Sequence, residues 1–153
     1  MTSQHVLVVE DSPETLALLR RVFEAEGFRV TTNSAPPDAA AVAREAPDLV
    51  VLDVLFGREQ RGLDLLRELR ADAATADLPV VLCSAAIEPL RRIEGDLLVG
   101  GVGLVLKPFD IDALLDEVAR VTKDAEQQAG AHDGPRARGD LAGDQPAAGN
   151  SSG

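Results

Sequence analysis

The sequence of 153 residues predicts an α/β fold with a doubly wound, five-stranded parallel sheet. The first observation is a series of short, continuous apolar runs, which are typical of strands buried on both faces. The second is a helical pattern after each run, so that strand and helix alternate along the chain. Right-handed crossovers between parallel strands would place these helices on both faces of the sheet.

Four strong apolar runs and one weaker run account for the predicted strands. The strong runs are Val6–Val9, Leu49–Leu52, Val80–Cys83 and Val102–Leu106, and the weaker one is Phe28–Thr32. These runs are too short and too separated to be helices of a bundle. They predict a sheet in which every strand but the weak one is covered on both sides.

The first predicted helix spans Pro13–Glu26, with Ser12 as N-cap and Gly27 as the stop. The remaining helical patterns cover Pro37–Glu45, Leu63–Arg70, Glu88–Leu98 and Ile111–Val121, the last of them capped by Asp110. The pattern over Glu88–Leu98 is the poorest, because Gly95 interrupts it at a cost of about 1 kcal/mol relative to Ala.

Composition changes near Lys123 and predicts two parts, a folded domain over residues 1–123 and a disordered, acidic tail over 124–153. The tail contains six Gly, seven Ala and two Pro, and Leu141 is its one large apolar residue. Such a segment buries too little apolar surface to offset its conformational entropy.

The charge balance excludes several classes of function. Lys and Arg total 15 against 26 for Asp and Glu, and the formal net charge is −11. A chain this acidic is repelled by phosphate backbones and anionic membranes, so neither nucleic acid nor membrane is an expected partner. Cys83 is the single cysteine, and with two histidines it cannot form a zinc cage. Without a signal-peptide pattern or a long apolar span, the expected location is cytoplasmic.

Polar side chains follow the predicted strands at the edge where ligands bind in doubly wound folds. Glu10 and Asp11 follow the first strand, Asp53 ends the third, Ser84 follows the fourth and Lys107 follows the fifth. Crowded carboxylates raise one another's pKa, and a divalent cation relieves their repulsion. Magnesium takes such oxygen ligands, while an ammonium and a hydroxyl suit phosphoryl oxygens. The set therefore predicts a magnesium site that holds a phosphoryl group on a carboxylate.

These residues carry a family resemblance over residues 5–122. The set resembles the receiver domain of two-component response regulators, whose motifs appear here as Glu10-Asp11, Asp53, Ser84-Ala85 and Lys107-Pro108-Phe109. The resemblance implies a flavodoxin-like fold with strand order 2-1-3-4-5. No helix-turn-helix pattern follows residue 123, which indicates a stand-alone receiver that signals through protein contact.

The resemblance also implies a role for each residue of the set. Asp53 matches the phosphoacceptor and Asp11 the direct magnesium ligand, and Glu10 matches the second acidic position, often a ligand through water. The backbone carbonyl of Leu55 would complete the metal ligands. Ser84 matches the hydroxyl that follows the phosphoryl group, and Lys107 matches the lysine that pairs with it, with a cis bond before Pro108.

A signalling switch in a phosphorelay is the function that this resemblance implies. A histidine kinase or a histidine phosphotransfer protein would be the phosphoryl donor, and an unknown downstream protein the target. The chain would be a regulator and not an enzyme, beyond self-catalysed phosphotransfer and dephosphorylation. Two alternatives stay open: a pseudo-receiver that binds partners without phosphorylation, and a flavodoxin-like nucleotide binder. The sequence leaves homodimer formation undecided.

Two positions depart from the family pattern. The loop from Val54 to Gly62 lacks the usual Pro and is about one residue longer than the loop that receivers usually have. It also contains Gly57, so we expect it to be mobile. Leu104 stands three residues before Lys107, where receivers commonly carry an aromatic side chain. The usual aromatic switch is therefore expected to be absent or rewired.

Overall fold

Parallel strands form the sheet in a computed structural model that describes residues 4–56, 59–85, 101–108 and 110–133. Within these residues the strands are β1 (His5–Val9), β2 (Arg29–Asn33), β3 (Leu49–Asp53), β4 (Val80–Ser84) and β5 (Val102–Leu106). All four pairings are parallel, in the order β2-β1-β3-β4-β5. The predicted fold class and strand order are confirmed.

Four helices of the described chain flank this sheet. They are α1 (Pro13–Ala25), α2 (Ala39–Glu45), α3 (Arg61–Ala71) and α4 (Ile111–Asp133). The start of α1 is as predicted, since the Ser12 hydroxyl accepts a hydrogen bond from Thr15 N–H at 3.3 Å. The predicted helix over Glu88–Leu98 lies outside the described residues.

The core consists of two layers, one on each face of the sheet. Alternate strand residues divide between them, so that Leu7 and Val50 belong to one layer and Val6 and Val51 to the other. Helices α2 and α3 cover the first layer, and α1 and α4 cover the second. Burial on both faces explains why β1, β3 and β4 are continuous apolar runs. The same expectation is wrong for β5, an edge strand on which Leu104 and Leu106 are exposed. Cys83 lies within the second layer, as expected of a residue that only fills space.

The strand register brings the ends of β1, β3, β4 and β5 to one edge. Val9 pairs with Leu52, and Asp53 pairs with Cys83. Ser84 in turn pairs with Leu106, which precedes Lys107. The residues that follow these strands are therefore neighbours in space.

The last helix corrects one part of the predicted organisation. The helix α4 runs to Asp133, so the first ten residues of the predicted tail, 124–133, are helical. A helix that is already nucleated gains one hydrogen bond for each residue added, so Ala, Glu and Gln extend it without burying apolar surface. The chain divides into two units, Met1–Thr122 and Lys123–Gly153. Disorder over 134–153 stays a prediction that falls outside the described residues.

No helix of the described segments combines the length and the apolarity needed to cross a bilayer.

Removing residues 124–153 is expected to leave the folded domain almost unchanged. Among the residues of α4 whose burial is described, 111–123, the core residues are Leu114, Val118 and Val121. A chain truncated after Lys123 should melt within about 3 °C of the full chain, less than roughly 1 kcal/mol would produce. Thermal unfolding followed by circular dichroism measures this, and a larger drop would show that the removed segment contributes to folding.

Candidate functional site

Three carboxylates meet at the edge of the sheet where the strands end. Glu10, Asp11 and Asp53 each present an oxygen within 4.8 Å of the others. Glu10 is 2% exposed and Asp53 is 6% exposed, whereas Asp11 is open to solvent. The cluster therefore consists of two buried carboxylates and one that is accessible to solvent. The structure brings together the three acidic residues that the sequence proposed.

Lys107 lies between the two buried carboxylates. Its Nζ is 2.5 Å from Glu10 Oε1 and 3.0 Å from Asp53 Oδ2. The second oxygen of Glu10 accepts the backbone N–H of Ser12 at 3.0 Å. A single buried carboxylate thus joins the lysine after β5 to the residue that caps α1. The contact between Glu10 and Lys107 was not predicted, because the resemblance pairs the lysine with the phosphoryl group.

The ionisation of this cluster reflects burial and mutual contact. Burial raises the pKa of Glu10 and the negative charge of Asp53 adds to that effect, while hydrogen bonds from Lys107 and Ser12 oppose it. Burial by itself would lower the pKa of Lys107, but its hydrogen bonds to Glu10 and Asp53 raise it above the ordinary value. Lys107 is therefore held as an ammonium that hydrogen-bonds both buried carboxylates.

Ser84 and Lys107 are also linked through their backbones. Ser84 is buried at the end of β4, and its carbonyl accepts the Lys107 N–H at 2.8 Å. The bond between Lys107 and Pro108 is cis, as the resemblance implies. The proposed hydroxyl and the proposed lysine thus occupy adjacent strand ends beside Asp53.

The loop after Asp53 is tied by hydrogen bonds in its described part. Phe56 and Glu59 exchange two backbone hydrogen bonds, at 2.9 and 3.1 Å, and the Phe56 ring packs into the core. Gly62 N–H donates to the Val54 carbonyl at 3.0 Å. Reciprocal hydrogen bonds and a buried ring thus connect residues 54–56 and 59–62 to the fold, and the expected mobility of the loop stays a prediction. Gly57 itself lies outside the described residues.

Leu55 follows Asp53 by two residues. Its backbone N–H lies 3.4 Å from Asp53 Oδ1 and donates to it. The proposal that its carbonyl binds a metal stays a prediction. The residues that the sequence did not single out are Phe56, which anchors the loop, and Gly62, which lies against β3. The available signal for Phe56 was that it is the one aromatic residue in the loop from Val54 to Gly62.

Comparison with known proteins identifies the class that this fold and site define. The sequence model of the response regulator receiver domain matches residues 6–119. The chain belongs to the response regulator receiver domain family.

Similar proteins agree with this assignment. The chain is 39% identical to "Probable transcriptional regulatory protein TcrX" of Mycobacterium tuberculosis over 111 residues, which cover 72% of this chain and 46% of that protein. It is 34% identical to the phosphate regulon transcriptional regulatory protein PhoB of Rhizobium meliloti, over 80% of this chain and 54% of that one. The chain thus spans about half the length of these curated relatives.

Solved structures support the same fold. A response regulator from Thermotoga maritima is 29% identical with a TM-score of 0.63, over 80% of this chain and 99% of that one. The chemotaxis response regulator CheY4 of Vibrio cholerae is 24% identical, also with a TM-score of 0.63, over 78% of this chain and 99% of that one. At this lower identity, the second comparison supports the fold alone.

Replacing Lys107 by Met should destabilise the domain in a pH-dependent way. Without the ammonium, burial and the Asp53 charge raise the pKa of Glu10 further. A carboxyl whose folded pKa is raised stabilises the fold when protonated, and this contribution is lost as pH rises from its ordinary value of 4.5 through the folded value. Lys107→Met should therefore lose about 2 kcal/mol at pH 7.5 in chelator-containing buffer, and clearly less at pH 5.

The matched control for this experiment is Lys123→Met, which removes an exposed lysine of α4. Urea unfolding at both pH values measures the free energies. Equal losses for Lys107→Met at pH 5 and pH 7.5 would contradict an electrostatic role for this lysine.

Proposed function

We propose that the protein is a phosphoacceptor switch, which takes a phosphoryl group on Asp53 from a histidine kinase or a histidine phosphotransfer protein. The observation that carries this proposal is the contact of Asp53 Oδ2 with Lys107 Nζ at 3.0 Å inside an acidic cluster. Membership of the receiver family supports the role of signalling regulator. The donor, the target and the chemistry below are parts of the proposal.

In the transfer step, a carboxylate oxygen of Asp53 attacks the phosphorus of a phosphohistidine. A P–O bond forms and the P–N bond breaks, and its electron pair returns to the imidazole, which leaves neutral with a proton on its other nitrogen. Lys107 offsets the charge that develops on the phosphoryl oxygens, because its ammonium already contacts the acceptor. The catalytic contribution of the protein is thus positioning and charge stabilisation.

The acidic cluster fits a magnesium ion. Among the described residues at this edge, three carboxylates face one ammonium, so negative charge remains to be neutralised. Asp11, Asp53, Glu10 and the Leu55 carbonyl would hold the ion. When bound, magnesium would neutralise charge between the acceptor carboxylate and the incoming phosphoryl group. Glu10 is buried and both of its oxygens accept hydrogen bonds, whereas Asp11 is exposed, which favours Asp11 over Glu10 as a direct ligand.

Ser84 would report the modification. Its position beside Lys107 places a hydroxyl near the acceptor, where a phosphoryl oxygen would take a charge-assisted hydrogen bond. The resulting shift between two states would change a surface that an unknown downstream protein reads. A pseudo-receiver would keep these contacts but would not be modified.

Asp53 should be the residue that acquires the phosphoryl group. Incubation with acetyl phosphate and magnesium should give a singly phosphorylated wild-type chain by intact-mass spectrometry, and Asp53→Asn should give none. Asp64→Asn, on the exposed face of α3, is the matched control and should behave as wild type. Modification of Asp53→Asn at wild-type yield would refute the assignment, and an unmodified wild-type chain would favour the pseudo-receiver.

Magnesium should bind through Asp11. Asp11→Ala removes the accessible carboxylate of the cluster, so the affinity measured by calorimetry should fall at least about tenfold. Glu14→Ala is the control, since Glu14 is an exposed acid in the first turn of α1, outside the cluster. An unchanged affinity in Asp11→Ala would exclude this residue as a ligand.

A further inference from the structure

Gly62 makes an unusually close approach to the backbone of the phosphoacceptor strand. A Cβ on this residue would lie 1.9 Å from the Asp53 carbonyl oxygen, and 2.9 Å from both the Asp53 carbonyl carbon and Val54 Cα. Ordinary van der Waals contact for a Cβ begins at 3.4 Å. The Asp53 carbonyl oxygen and a Cβ on residue 62 would therefore have to move about 1.5 Å apart. Every one of these neighbours is a backbone atom, which cannot rotate away as a side chain can. Glycine is thus required here for space.

Both partners of this contact are held in place. On one side, the Val54 N–H donates to the Cys83 carbonyl at 2.9 Å, which ties the end of β3 to β4. On the other side, α3 is anchored by buried leucines, namely Leu63, Leu65, Leu66 and Leu69. The Gly62 N–H joins the two through the Val54 carbonyl. A methyl group at residue 62 would therefore push against two fixed elements.

The carbonyl in this contact belongs to the residue that carries the proposed acceptor carboxylate. Displacing the Asp53 backbone would change the 3.0 Å distance from Oδ2 to Lys107 and the 3.4 Å distance from Oδ1 to Leu55 N–H. Catalysis by positioning is sensitive to such shifts, since a misplacement of about 1 Å can cost roughly 100-fold in rate.

We propose that Gly62 is a positioning residue for Asp53: by lacking a side chain, it lets the first turn of α3 seat directly on the acceptor's carbonyl and so sets the distance between the Asp53 carboxylate and Lys107. This inference rests on the proposed function in that it assigns Gly62 a part in phosphoryl acceptance. The structural half of it, the seating of α3 on Asp53, stands on the contact alone.

The test compares Gly62→Ala with Gly27→Ala. Gly27 has a φ of +92° and nothing within 4 Å of its Cβ position, so its replacement strains the backbone far from the site. Gly27→Ala thus perturbs stability through backbone strain, and Gly62→Ala does so through a steric clash with the Asp53 backbone. Rates of phosphorylation by acetyl phosphate with magnesium are measured at a temperature where circular dichroism shows both proteins folded.

Gly62→Ala should lower the maximal rate at least tenfold with little change in the KM for acetyl phosphate, while Gly27→Ala stays within twofold of wild type. Equal rates in the two folded variants would overturn the proposal. If Gly62→Ala is unfolded in buffer, the rate is measured in trimethylamine N-oxide, which favours the folded state. A variant that stays unfolded even there would show that the contact serves folding alone, and the proposal would again be wrong.

A second readout does not depend on phosphorylation. Amide chemical shifts of Val54, Leu55 and Lys107 should change in Gly62→Ala and remain as in wild type in Gly27→Ala. If wild type is not phosphorylated but these shifts change, the proposed function fails and the seating of α3 on Asp53 is upheld. If wild type is phosphorylated and the shifts do not change, the positioning role of Gly62 fails alone.

Discussion

The confinement of like charges at one edge of the sheet is the constraint on which the site depends. Parallel strands end together, so Glu10 and Asp53 are forced into proximity by β1 and β3, and both are buried there. Lys107, which follows β5, neutralises part of this negative charge. Its long, flexible side chain extends past β4 and contacts both carboxylates. The ammonium forms an ion pair with each of these two buried carboxylates. Burial of both carboxylates at one edge is tolerated because this positive charge contacts each of them.

Much of this arrangement could be read from the sequence, for a physical reason. Strands covered on both faces are apolar throughout, so a continuous apolar run such as Val6–Val9 predicts a buried strand from the sequence alone. The polar residues just after each run then share one edge by the geometry of parallel strands. The partner of each side chain could not be read in the same way. Whether Lys107 meets Asp53 alone or also Glu10 depends on register, twist and rotamer, which local sequence does not encode.

One expectation failed because it weighed local composition alone. The predicted tail began at residue 124 because apolar residues run out there, yet a helix needs them for nucleation and packing more than for elongation. The helix α4 accordingly continues to Asp133. The loop after Asp53 shows a related limit, because the burial of Phe56 and its paired hydrogen bonds with Glu59 depend on tertiary contacts that the presence of Gly57 in the sequence does not indicate.

The neighbours of Asp53 restrict how a change at this residue can spread. Leu104, at the position where receivers commonly carry an aromatic, is 40% exposed on the edge strand β5, so it does not fill a cavity beside the site. A rearrangement that depends on a ring moving inward has no ring at that position. Among the described residues, backbone hydrogen bonds add to the side-chain contact between Asp53 and Lys107. The Lys107 N–H bonds the Ser84 carbonyl on one side, and the Gly62 N–H bonds the Val54 carbonyl on the other. Backbone hydrogen bonds in a packed sheet transmit displacement with little slack, because neither partner can rotate away. A displacement of the Asp53 backbone should therefore displace both β5 and α3, and a larger displacement of Asp53 should give a larger displacement of each.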